Sequence, residues 1–214
     1  MKITKFEHAC LILDNGTSRL LIDPGSFTKL PENLKGISCI VVTEEHVDHF
    51  DLENIEKVLS QSPDAQVLST EVVAGQLKEA GYACEAVSGE KQKNVGGFSI
   101  TFKEVDHAVS YGKSPCRVLT LKVDDFLYYP SDSYIPTEAK VQVLALPTCG
   151  PWHKISESVD FANKITSEQI LVTHNGLYND TGNKVANSFT SSNITDKDRE
   201  YIFLAVGETR DFSR

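Results

Sequence analysis

Apolar residues fall in short runs along this chain, and the runs carry two periods. Residues 3–13 and 18–22 read as strands on either side of Asp14-Asn15-Gly16, a turn signal that predicts an antiparallel hairpin. Residues 38–42 form a continuous apolar run of the kind a buried strand shows. From 51 to 60 the period changes: Leu52, Ile55, Val58 and Leu59 recur at helical spacing, with Asp51 placed as an N-cap. A strand over 65–69, a helix over 71–80 closed by Gly81, and a strand over 84–87 follow. That alternation is what a parallel portion of sheet requires.

After Gly96-Gly97 the texture turns to short strands, 99–105, 117–123 and 126–129, the last two joined at Asp124-Asp125. A strand over 141–146, an amphipathic helix over 156–165 begun by Ser156 and Glu157, and a strand over 169–173 come next. The polar stretch 179–198, rich in Asn, Ser and Thr, reads as an irregular loop, and 200–206 as a closing edge strand. No sequence repeat is present, yet the order of elements gives two comparable halves.

Composition sets limits. A chain of 214 residues with 40% hydrophobic content can bury a sizeable core and is expected to form one domain over 1–214. The net charge of −9 disfavours non-specific attraction to nucleic acid or anionic membrane, which leaves a small-molecule substrate among the expected partners. The N-terminus lacks the apolar core of a signal peptide and no run is long enough to span a bilayer, which makes a cytoplasmic location the expectation. The five cysteines are an odd number without C-x-x-C spacing, and read as free, buried thiols.

Candidate chemistry concentrates in Thr43-Glu44-Glu45-His46-Val47-Asp48-His49, directly after the apolar run 38–42. Glu44, His46, Asp48 and His49 all carry side chains that ligate divalent metals, and a tight turn would bring them together. Three more residues of this kind, His107, Asp132 and His174, each stand just past another predicted strand. Singly, these are a capped turn, a loop histidine and turn residues. Jointly, four strand ends offer one set of ligands.

The spacing at His46, Asp48 and His49 resembles the His-x-His-x-Asp-His motif of the metallo-β-lactamase superfamily, with Glu44 at the first histidine. Leu21-Ile22-Asp23-Pro24 and Tyr129-Pro130-Ser131-Asp132-Ser133 resemble two further segments of that family, the second being its Gly-Asp-Thr/Ser element. Pro147-Thr148-Cys149-Gly150-Pro151-Trp152 and its following helix resemble the branch near ascorbate-6-phosphate lactonases. The resemblance implies an α/β fold, a four-layer αββα sandwich with two mixed β-sheets. It implies one metal position at Glu44, His46 and His107, a second at Asp48, His49 and His174, and Asp132 between them. Asp48 and Asp132 become the expected catalytic carboxylates, and the cofactor one or two divalent ions of Zn, Mn or Fe. The implied activity is hydrolysis of a small ester, lactone or phosphoester by a metal-bound hydroxide.

Four departures from the family pattern shape the expectation. Glu44 adds a negative charge and a hard oxygen, shifting preference from zinc toward manganese or iron. It either ligates or swings out and leaves His46, His107 and Asp132. Tyr111 and Tyr129 stand where near relatives carry histidines, and Ser131 where glycine precedes the aspartate. These changes motivate the alternative of a non-catalytic relative that binds a ligand or protein. Asp23 reads as a turn cap, with support of the site as the other reading. Trp152 and His153 are candidate substrate contacts, and the loops 111–116 and 179–198 candidates for substrate selection.

Overall fold

The computed structural model describes residues 1–212. Two seven-stranded sheets face each other. The first contains β1 (Lys2–Lys5), β2 (Leu11–Asp14), β3 (Arg19–Ile22), β4 (Ile37–Val42), β5 (Gln66–Ser69), β6 (Glu85–Ala86) and β14 (Thr209–Asp211), in the order β14-β1-β2-β3-β4-β5-β6. The second contains β7 (Glu90–Val95), β8 (Phe98–Asp106), β9 (Arg117–Val123), β10 (Leu127–Tyr129), β11 (Val141–Pro147), β12 (Ser167–Thr173) and β13 (Glu200–Ile202), in the order β13-β12-β11-β10-β9-β8-β7.

Alternation along the strands builds the layers. In β4, Cys39 and Val41 point to the core between the sheets, where they join Leu11, Leu13, Leu20 and Ile22 from one side and Phe102, Leu121, Val143 and Ala145 from the other. Ile40 and Val42 point outward to Ile55 and Val58 of α1 (Leu52–Gln61) and to Val73 and Leu77 of α2 (Glu71–Glu79). On the opposite face, Leu144, Leu146 and Ile170 meet Phe161 and Ala162 of α3 (Ile155–Lys164), with Ile194 after α4 (Asp180–Asn193) closing that layer. Each large aliphatic or aromatic side chain so buried contributes roughly 1.5–3 kcal/mol against exposure. The result is the four-layer αββα sandwich expected.

Several elements differ from the sequence reading. The apolar stretch 3–13 is two strands, because Phe6 to Cys10 leave the sheet in a turn with His8 in the left-handed region at φ 55°. The stretch read as a loop over 179–198 holds α4, capped by Asn179, whose side chain accepts from Gly182 N at 2.9 Å. Its polar composition hid it. Only Ala186 and Thr190 are buried on it, so there is little apolar periodicity to read. α3 begins after Lys154 without a side-chain cap, and β7 and β14 were not expected.

Strand direction decides where function gathers. β1 and β2, and β2 and β3, pair antiparallel while β3 and β4 pair parallel, so β1, β3 and β4 run the same way. In the other sheet β8 and β10 both oppose β9, and β10, β11 and β12 are parallel. The carboxyl ends of these strands therefore deliver His8, Asp23, the 44–49 loop, His107, Asp132, the 148–152 turn and His174 to one edge of the sandwich.

Candidate metal centre

At that edge the seven candidate ligands form two clusters. Asp48, His49, Asp132 and His174 make one, and Glu44, His46 and His107 the other, with the ligand atoms of each cluster within 4.8 Å of one another. Asp132 stands between them. Its Oδ1 lies 3.1 Å from His49 Nε2 and 3.0 Å from His174 Nε2, while its Oδ2 lies 3.4 Å from His107 Nε2. Asp48 Oδ2 is 3.4 Å from His174 Nε2. Glu44 points inward and is fully buried, with Oε2 2.5 Å from His46 Nδ1 and Oε1 3.8 Å from His107 Nε2.

Hydrogen bonds outside the clusters fix the imidazole tautomers. Nδ1–H of His49 donates to Asp23 Oδ2 at 2.8 Å, that of His174 to the Cys149 carbonyl, and that of His107 to the Ala108 carbonyl. Each ring then turns Nε2 inward, the nitrogen a metal takes once its proton leaves. His49 Nε2 and His174 Nε2 lie only 3.2 Å apart, both facing the same carboxylate oxygen, Asp132 Oδ1. Of the buried carboxylate oxygens, Glu44 Oε1 has no hydrogen-bond partner, and Asp132 Oδ1 has none besides the two imidazole Nε2 atoms beside it. Buried carboxylates and inward-facing imidazoles packed this closely are costly unless protons or a cation lie among them, so the donor set fits divalent metal.

In the metal-free site protons take the cation's place. Burial pushes His49 and His174 toward the neutral form, but Asp132 and neighbouring carboxylates outweigh it. His49 is held well above the ordinary histidine range and His174 is raised to about 9. Hydrogen bonding to Glu44 raises His46. Asp48 and Asp132 move the other way: burial opposes their ionisation, yet the surrounding imidazoles keep both well below the usual carboxylate range. This is a site built to hold positive charge.

Three supporting residues escaped the sequence reading or were ranked too low in it. Asp23 is no mere turn cap. Fully buried at φ 48°, its Oδ2 accepts from His49 Nδ1, from Thr43 Oγ1 at 2.7 Å and from Tyr129 OH at 2.7 Å, while Oδ1 accepts from Thr43 N at 2.7 Å. Cys116 donates its S–H to Glu44 Oε2 at 3.3 Å, and no local signal marks it. His8 donates to Asp48 Oδ2 at 3.0 Å; its sequence signal was the polar break Glu7-His8 in an apolar run.

The departures also find places. Tyr129 hydrogen-bonds Asp23 inside the core, so it supports the site and faces no substrate. Tyr111 is 96% exposed. Ser131 keeps a left-handed backbone at φ 53° and pairs its Oγ with Thr43 Oγ1 at 2.7 Å, which explains a preference for glycine at this point. Trp152 Nε1–H donates to Asp132 Oδ2 at 2.7 Å. His153 does not line the opening, and burial lowers it to about 4.

Above the clusters a cavity of about 490 Å³ is lined by His46, Asp48, His107 and Asp132 at its base, and by Phe27, Val47, Pro115, Pro151, Trp152 and Leu177 along its walls. A larger concavity of about 780 Å³ beside α2 and β6 contains none of these ligands. Chemistry, not size, marks the site.

An αββα sandwich with histidine and carboxylate clusters at one edge defines the metallo-β-lactamase class of fold. Residues 2–174 match the family described as the beta-lactamase superfamily domain, and the chain belongs to that family. It is 30% identical over 183 residues to Protein Rv0786c of Mycobacterium tuberculosis, an alignment covering 83% of this chain and 85% of that one. A UPF0173 metal-dependent hydrolase of Xanthobacter autotrophicus is 31% identical over 130 residues, covering 56% of this chain and 53% of that one. Among solved structures, the metallo-beta-lactamase fold protein YhfI of Bacillus subtilis superposes with a TM-score of 0.74 at 16% identity, covering 98% of both chains.

Proposed function

We propose that this protein is a metal-dependent hydrolase of a small, uncharged ester or lactone. The observation that carries the reading is the convergence of three inward-facing Nε2 atoms, their Nδ1–H groups held outside, on the buried carboxylates of Glu44 and Asp132. Glu44, His46 and His107 would hold one ion, Asp48, His49 and His174 another, and Asp132 would serve both. When bound, such ions supply Lewis acidity, lowering the pKa of a nearby water and drawing electrons from the bond it attacks. The chain supplies the rest. Asp48 and Asp132 stay ionised, and Asp48, whose side chain is 19% exposed, faces the cavity, where its carboxylate can accept a hydrogen bond from the attacking water and orient it. The Trp152 indole fixes the Asp132 carboxylate, and the apolar walls receive the organic groups flanking the reacting bond.

Wall charge ranks the substrate classes. Apart from the ligands, the one charged residue lining this cavity is Glu45, and no lysine or arginine is there to clasp a phosphate, so we rank a neutral ester or lactone ahead of a phosphoester dianion. With its oxygens aimed inward, Glu44 favours Mn²⁺ or Fe²⁺ over Zn²⁺. The test is metal content by plasma mass spectrometry on tag-free protein, followed by an ester, lactone and phosphoester survey with the metal found. Turnover lost in Asp132→Ala with folding intact is the expected result. Wild type without metal after reconstitution, or as inert as Asp132→Ala throughout the survey, would favour a non-catalytic binding protein.

A further inference from the structure

His8 carries its ring proton the opposite way from His49, His107 and His174. Its Nδ1 accepts the backbone N–H of Gly176 at 3.0 Å, so the ring proton sits on Nε2 and is donated to Asp48 Oδ2 at 3.0 Å. A nitrogen carrying that proton is not a metal ligand. His8 is instead clamped from every side. Its carbonyl accepts from His174 N at 2.9 Å, its ring lies over the His174 ring with centroids 3.8 Å apart, and it is fully buried. Gly176 approaches so closely that an added Cβ would meet His8 Nδ1 at 3.1 Å. The chain adopts a left-handed backbone at His8 to make these contacts, a conformation that costs free energy in a residue with a side chain.

We infer that His8 is a positioning residue for the second metal position, holding the Asp48 carboxylate in register with His174. The two ligands come from different sheets, Asp48 from the loop after β4 and His174 from the end of β12. His8, from the turn after β1, touches both. Hydrogen-bonding one Asp48 oxygen limits rotation of the carboxylate and leaves its remaining lone pairs for an ion. The Gly176 N–H forces the tautomer that makes this donation possible. Partners of this kind around a ligating carboxylate typically change metal affinity by about 10- to 100-fold when removed.

The inference rests on the metal-centre reading, and two substitutions separate its parts. His8→Gln keeps a side-chain N–H that can reach Asp48. His8→Asn keeps an acceptor near Gly176 but reaches Asp48 with no donor. Co²⁺ binding, followed by calorimetry and by the visible absorption of the bound ion, is expected to show one of the two equivalents weakened by about 10- to 100-fold in His8→Asn and the other unchanged. In His8→Gln it should stay within a few-fold of wild type. Equal affinity in His8→Asn and wild type, or equal loss in both variants, would overturn the assignment while leaving the metal centre in place. A wild type that binds no Co²⁺ sinks both. Should His8→Asn fail to fold, long-range proton–nitrogen NMR on metal-free wild type still decides: Nε2-protonated His8 is expected, and a proton on Nδ1 refutes the assignment.

Discussion

Asp23→Asn is the sharpest probe of how the site is held. The substitution keeps shape and suits the left-handed backbone, since asparagine tolerates φ near 48° as aspartate does. It changes one oxygen into an NH₂ group. If the amide oxygen takes the place of Oδ2, the NH₂ group meets the Thr43 backbone N–H, which lies 2.7 Å from Oδ1, donor against donor. One charge-assisted bond is lost, at roughly 1.5–3 kcal/mol, and a buried N–H is left unpaired, at roughly 1–3 kcal/mol. The reverse placement confronts His49, Thr43 Oγ1 and Tyr129 together and is worse. A loss of about 3–5 kcal/mol is therefore expected, read by urea denaturation of metal-free protein. His49 keeps an acceptor but loses the carboxylate charge behind its Nδ1–H, which lowers its basicity as a ligand, so metal affinity should fall by about 10- to 100-fold. A loss below about 1 kcal/mol with unchanged affinity would refute the reasoning.

Other perturbations follow from the same geometry. Gly25 lies under the Asp48–His49 peptide, where an added Cβ would come within 2.1 Å of Asp48 backbone atoms. Gly25→Ala should displace the loop and abolish metal binding while leaving the far-UV dichroism of the sandwich intact. Ser131→Gly relieves a left-handed serine but removes its hydroxyl from Thr43, so the two effects, each about 1 kcal/mol, should nearly cancel in a denaturation midpoint. For pH, His174 is raised in the folded state from 6.5 to about 9, so its protonated form stabilises the metal-free fold. That stability is complete below pH 6.5 and is lost as pH rises through about 9, so the metal-free melting temperature should fall across this window. Metal affinity should rise over the same window, with protons released on binding and measurable by calorimetry in buffers of different ionisation enthalpy.

What the sequence by itself determined was local. The 38–42 run, the ligand types packed into residues 44–49, and a histidine or aspartate just past three later strands were legible because strand ends and turn chemistry are written in neighbouring residues. Helix α4 was not, since a polar helix with few buried positions leaves no periodic trace and depends on its Asn179 cap and its packing against α3. Tertiary structure alone decided which strand ends share an edge, because strand direction follows from pairings between residues far apart in the chain. It alone brought Asp23 to His49, Cys116 to Glu44 and His8 to Asp48, separated by 26, 72 and 40 positions. Ligand identity can be read from side-chain chemistry. The tautomer, orientation and charge of each ligand are set by hydrogen-bond partners that only folding supplies.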